Sequence, residues 1–369
     1  MTSKRTVRDI FDEVPDIDGL FLFTDGMHSV RSPSHFAYFT GVSVVADRNC
    51  LIATPDGAPI ILTNVARDVD RIRRVSGIDD VRASTNFADA LASIVTEELD
   101  GCIGIGGTNR MPYEVHQRLE SSLAETTQID EQLTSLTAEK SDDEIETFRH
   151  LGRIADAGFA AVYDTLRPGI TEYALAAEVE YAMRQAGAED NFNLFGTGSH
   201  NQLMHSPSDR ILREGDTVLC ELSPMLDGYV LQICRTISVG PPAPILLEKF
   251  ALLEEALETT KAAIGPGEPA STVYSTMNAV FEREGYADYC QPPYMRTRGH
   301  EFGFGEIGMA ITEETTTPCS PGMVLVIHPN QYIPETGYLA LGDPILITEQ
   351  GIETLTETPA RLFTKEVDA

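Results

Sequence analysis

Short apolar runs bounded by turn formers recur through the first 125 positions: "GLFLFT" at 19–24, "NCLIAT" at 49–54, "PIILTNV" at 59–65 and "CIGIGG" at 102–107. Each reads as a strand buried on both faces. Between them, "FADALASIVTEEL" (87–99) spaces its apolar residues as one face of a helix does. This alternation predicts an α/β domain over 1–125. Periodicity then weakens through "AETTQIDEQLTSLTAEK", and residues 126–140 read as a linker. At Ser141 the pattern sharpens again. Ser141 and Glu144 have the spacing of a capping box, and Ile145, Phe148, Leu151 and Ile154 follow on one helical face. That helix is expected to run to "RPG" at 167–169, and a second to run from Thr171 to about Gly187. Further helices fit 246–264 and 271–285, between strand-rich segments at 217–239 and 322–348. Residues 141–369 thus read as helices packed on one mostly antiparallel sheet, an α+β domain.

One pair of strands interrupts the apolar pattern. Asp227-Gly228 is the dipeptide of a type I′ turn, flanked by "TVLCELSPML" and "YVLQICRTISV". A two-residue loop there puts Glu221 directly opposite Cys234 and diagonal to Gln232, all on one face. A carboxylate, an amide and a thiol in mid-hairpin are costly to bury unless something satisfies them. A polar site is therefore expected at this point, or else a hydrogen-bonded Glu–Gln pair within a core.

Charge narrows the function. Against 57 acidic residues stand 27 basic ones, five of them lysine, for a formal net charge of -30. Such a chain is a poor partner for nucleic acid or for anionic membrane surfaces. Spread along the whole length, the excess resembles the acidic surfaces of salt-loving proteins. No apolar run approaches the roughly 20 residues that cross a bilayer. The polar opening "MTSKRTVRDIFDEV" does not read as a signal peptide, so a cytoplasmic location is expected. Six cysteines are scattered without a CxxC pair, which argues against a zinc knuckle or a disulfide framework.

The segment "MHSPSDRILREGDTVLCELSPMLDGYVLQICRTISVG" (204–240) resembles the corresponding region of the pita-bread hydrolases: methionine aminopeptidase, aminopeptidase P, prolidase and creatinase. "RGHEFGFGEIG" (298–308) and "PGMVLVIHPNQY…GDPILITEQGIETLT" resemble two further blocks of that family in the same order. "SPSHFAYFTGV" (32–42) is similar to its amino-terminal domain. The resemblance implies a pita-bread domain over 141–369, preceded by a small creatinase-like α/β domain, and a homodimer.

It also implies where the chemistry lies. Peptidases of the family hold two divalent ions with two aspartates, a histidine and two glutamates. Those positions fall here on Glu221, Gln232, His300, His328 and Gly342. One remaining carboxylate does not balance two divalent charges. The expectation is thus a site with no metal cofactor. The alternative is one zinc, manganese or iron ion held by Glu221, His300 and His328. The family's metal-free precedent, creatinase, uses a histidine that corresponds to His205, and "SPM" at 223–225 is closer to creatinase than to the peptidases. Creatinase, however, has acids at the positions of Cys234 and His328, so a cationic substrate is not expected.

The second histidine of the peptidases' "HE" pair falls on Ile307, and its neighbour on Gly308; Glu301 and Glu306 flank the block as possible substitute acids. The expected reaction is hydrolysis of a C–N bond in a small amide or amidino compound. His205 and Glu221 would be catalytic, while Gln232, Cys234, His300 and His328 would bind substrate. Cys234 as a nucleophile is a lesser possibility. Two alternatives stand beside this reading: a non-catalytic homologue binding a small molecule or short peptide, and a mononuclear metallohydrolase or Xaa-Pro peptidase with a rebuilt site.

Overall fold

The structure, a computed structural model, describes residues 4–26, 34–305 and 307–367. The chain divides into two compact units, with the change at Ala138–Glu139.

The first unit is built on a six-stranded mixed sheet. Its strands are β1 (Gly19–Thr24), β2 (Asn49–Ala53), β3 (Ile60–Thr63), β4 (Asp80–Ala83), β5 (Cys102–Gly106) and β6 (Glu125–Gln128), in the order β4-β3-β2-β1-β5-β6. The four apolar runs read from the sequence are β1, β2, β3 and β5. Side chains alternate between two cores: Leu20 and Leu22 join Ile10, Phe36 and Leu133 on one face, Phe21 and Phe23 join Leu91, Val95 and Leu119 on the other. Helices cover both faces, which is why the central strands β1, β2, β3 and β5 are mostly apolar on both sides. The stretch 126–140 is not the expected bare linker. It completes β6 and forms the helix Asp130–Leu136, whose Leu133 and Leu136 are buried in this unit's core. Its acidic and hydroxyl-rich composition masked the two apolar anchors.

The second unit opens with the helix Asp142–Thr165, and the capping box is present: the Ser141 amide donates to Glu144 Oε2 at 2.8 Å and the Glu144 amide to Ser141 Oγ at 3.4 Å. The helices Glu172–Gln185, capped by Thr171, Pro244–Ala263 and Ser271–Arg283 fall where the periodicity placed them. Instead of one sheet there are two. Strands β7 (Asp190–Gly198), β8 (Thr217–Leu226), β9 (Tyr229–Val230) and β10 (Ile233–Val239) form the first with the C-terminal β18 (Phe363–Lys365), in the order β18-β10-β8-β7 with β9 on β8. The second has the order β12-β11-β13-β16-β17, from β11 (Gly299–Phe302), β12 (Ile307–Ala310), β13 (Val324–Ile327), β16 (Asp343–Thr348) and β17 (Gly351–Thr354). A separate hairpin pairs β14 (Gln331–Ile333) with β15 (Gly337–Leu339). The two sheets meet at a seam where Cys234 and Gly342 exchange backbone hydrogen bonds of 3.1 and 3.0 Å. No helix is long and apolar enough to cross a membrane among the described residues.

Candidate active site

The turn fixes the site. Asp227 and Gly228 both have positive φ, 50° and 83°, the backbone of a type I′ turn, which a glycine accommodates without strain. From it the register runs back as expected: Leu226 opposite Tyr229, Met225 opposite Val230, Leu222 opposite Ile233 and Glu221 opposite Cys234. Gln232 falls in a break between β9 and β10 that leaves its side chain beside the seam. The Gln232 amide lies 3.6 Å from Cys234 Sγ, and Cys234 Sγ lies 3.6 Å from Glu221 Oε2.

Strand β11 brings His300 to the same place. Its Nε2 lies 3.1 Å from Gln232 Oε1 and its Nδ1 3.2 Å from the Glu301 carbonyl oxygen. Burial pushes the His300 pKa down, and the neutral ring carries a single N–H, which donates to one of these two oxygens. The Gln232 Nε2 amide donates to Cys234 Sγ, and the thiol donates to Glu221 Oε2. Burial raises the Glu221 carboxyl, and burial with Glu221 nearby raises the Cys234 thiol well above its usual value. A thiol held protonated in this way is no nucleophile, which removes Cys234 from that role.

His328 follows β13 at the seam. Its ring centroid is 6.0 Å from that of His300, and its buried Nδ1 has no hydrogen-bond partner among the described residues. Burial, with His300 and Arg298 adding to it, lowers its pKa to about 3. A Cβ added at Gly342 would stand 2.7 Å from His328 Cβ and 3.4 Å from Cys234 Cβ, so the missing side chain makes the space that His328 uses.

Above this group opens a cleft of about 410 Å³, lined by Glu221, Leu194, Gln202, Leu203, Met204, Pro293 and three tyrosines: Tyr294, Tyr332 and Tyr338. Tyr332 and Tyr338 are opposite one another in the β14–β15 hairpin. Burial, and then the nearby Glu221, hold the Tyr338 phenol protonated far above its usual range. Sequence reasoning missed these tyrosines. Tyr332 and Tyr338 lie beside and within 333–341, the gap in the last block that carried the resemblance, and Tyr294 lies ahead of the block at 298–308, so no motif marked them as cleft residues.

The structure brings Glu221, Gln232, Cys234 and His300 together and puts His328 beside them. It does not place His205 among the residues lining the cleft. His205 is exposed, pairs through its backbone with Phe195 and donates from Nδ1 to the Ser206 carbonyl at 2.7 Å. Glu301 is buried in an ion pair with Lys140, 3.2 Å away, and so does not replace a lost site acid. Glu306 lies outside the described residues, and the Ile307 side chain is likewise not described.

Comparison with known proteins bears on this geometry. Residues 146–349 match the model of metallopeptidase family M24. The chain is 31% identical over 339 residues to an Xaa-Pro dipeptidase of Pyrococcus furiosus, covering 90% of this chain and 94% of that protein. It is 31% identical over 266 residues to the peptidase YqhT of Bacillus subtilis, covering 69% and 73%. Among solved structures, the prolidase from Pyrococcus furiosus superposes with a TM-score of 0.82 at 28% identity, over 96% of this chain and all (100%) of that one. An Xaa-Pro dipeptidase from Bacillus anthracis gives 0.84 at 24% identity, over 97% of each chain, a likeness of fold.

Proposed function

We propose, on the footing that the chain belongs to metallopeptidase family M24, that it hydrolyses a dipeptide of the Xaa-Pro class at a rebuilt site centred on Glu221. The observation that carries this reading is the cleft itself. It is large enough for two residues, its floor carries one carboxyl, and Tyr294, Tyr332 and Pro293 offer flat apolar faces to a pyrrolidine ring. The likeness to an Xaa-Pro dipeptidase over nearly the full length supports a dipeptide over the small amide or amidino compound expected from the sequence.

The family name implies a pair of divalent ions, and the side chains present do not fit them: one carboxylate, one amide and two imidazoles stand at the implied positions, and Gly342 offers no ligand at all. No step is therefore routed through a metal. Burial raises the Glu221 carboxyl above its usual value, which makes it a stronger proton acceptor. It is placed to take a proton from an attacking water and deliver it to the departing proline nitrogen, which leaves as a secondary amine and needs that proton. The phenol of Tyr338, held protonated, is the donor that faces the scissile carbonyl as charge develops on its oxygen. The acid–base role thus moves from His205 to Glu221.

The test is turnover of a panel of Xaa-Pro dipeptides by the purified protein in high salt. Glu221→Gln is expected to lower kcat by roughly 10²–10⁴-fold, and His205→Ala to leave it within a few-fold. Cleavage of small amides or amidines with none of dipeptides would restore the reading made from sequence. Dipeptide binding without turnover would make the protein a non-catalytic homologue.

A further inference from the structure

The geometry points to a cleft centre that excludes divalent ions, with the buried guanidinium of Arg298 as the resident cation of the region. This goes beyond the proposed hydrolysis and does not depend on it. Three independent observations carry the inference.

The first is how the polar groups are used. Glu221, Cys234, Gln232 and His300 are hydrogen-bonded to one another at 3.6, 3.6 and 3.1 Å, and among the described residues no three His, Cys, Asp or Glu side chains form a group able to hold an ion. A metal site needs lone pairs converging on one empty point. Here they are turned on each other.

The second is steric. A Cβ at position 342 would stand 2.7 Å from the Cβ at position 328, so a ligand side chain cannot return there without a shift of the backbone at the seam.

The third is charge. Three cations are buried in this unit, and two of them have acids: Lys140 with Glu301 at 3.2 Å and Arg235 with Asp343 at 2.7 Å. Arg298 has none in ion-pair contact among the described residues. Its N–H groups go to neutral acceptors instead, Asn278 Oδ1 at 2.7 Å, the Asn330 carbonyl at 2.8 Å, Gln331 Oε1 at 2.7 Å and the Cys290 sulfur at 3.6 Å, and its face lies over the Phe281 ring. A guanidinium does not give up its proton to escape this cost. It sits close enough to the site that Tyr338 feels both Arg298 and Glu221. An ion entering beside Glu221 would meet one carboxyl and an unbalanced positive charge, where a pair of divalent ions needs several anions.

The experiment is elemental analysis of protein produced with added manganese, cobalt or zinc and dialysed without chelator. Each sample is also melted with a millimolar excess of the ion and with EDTA. The expected result is far less than one equivalent of any ion and the same melting temperature in both conditions. The acidic surface attracts cations loosely, so the decisive comparison is with Glu221→Gln and His300→Ala. One or two equivalents that raise the melting temperature and disappear in either variant would overturn the proposal. Gln232→Asp combined with His328→Glu supplies two carboxylates and is expected to gain a stoichiometric ion. If that double variant folds and stays ion-free, the assignment of the exclusion to these two side chains is overturned.

Discussion

Glu221 and His328 are two site side chains whose ionisation the fold resists, and they shape stability on opposite sides of neutrality. The usual glutamate value is 4.5, and burial raises it in Glu221. Above pH 4.5 an unfolded chain therefore releases a proton that the folded one retains, and the folded state loses stability as pH rises through that window. Glu221→Gln removes the slope and is expected to stabilise the protein at neutral pH by about 1 kcal/mol, read from urea midpoints. His328 acts in reverse. Its imidazole would take a proton below pH 6.5 when unfolded but only at about 3 when folded, so stability is lost as pH falls across that interval. The slope approaches about 1.4 kcal/mol per pH unit at most. His328→Leu, which also removes the unpartnered Nδ1, is expected to flatten the acid limb relative to wild type; parallel limbs would show that the ring does not contribute. At this scale the sequence was legible wherever a short-range rule applied. Glu221, Gln232 and Cys234 were placed by a two-residue turn. Arg298 and Tyr338 were not, because their significance lies in neighbours 20 to 117 positions away, such as Asn278 and Glu221, that no local pattern connects.

Among the elements, the seam between β10 and the residue preceding β16 holds the site together. Gly342 bonds Cys234 through both backbone groups and makes room for His328. Gly342→Ala should therefore cost about 1–3 kcal/mol from overpacking. The same change in a His328→Gly background, with the colliding Cβ gone, should cost less. A coupling energy of about 0.5–3 kcal/mol in the double-mutant cycle would confirm the collision, and strict additivity would contradict it. The helices were legible because their periodicity and caps are written within a few residues, as at Ser141 and Thr171. The division of the expected sheet into two was not. A seam of two hydrogen bonds joins segments more than 100 positions apart, and each strand keeps the same apolar alternation whichever sheet it enters.

For the whole molecule the dominant fact is a formal charge of -30 with 27 bases to offset 57 acids. Three of those bases, Lys140, Arg235 and Arg298, are buried, as are the acids Glu144, Glu172, Asp216, Glu301 and Asp343, so the surface keeps nearly the whole acidic excess. Self-repulsion between like charges is relieved when the chain expands, so it works against the folded state, and added salt weakens it as the screening length falls from about 10 Å at 0.1 M to about 3 Å at 1 M. The urea midpoint should therefore climb steeply as KCl is raised through that range and more gently beyond it, where little screening remains to be gained. An ionic denaturant provides a second sign of the same cause. Low concentrations of guanidinium chloride should at first stabilise the protein, because the ions screen before they denature, whereas urea should destabilise from its first addition. The buried ion pair of Arg235 with Asp343, shielded from bulk ions, should respond far less, so a charge-neutralising change there would shift the midpoint without altering its salt slope. Midpoints independent of KCl would show that the acidic surface carries its charge without strain, and that stability rests on the two cores alone.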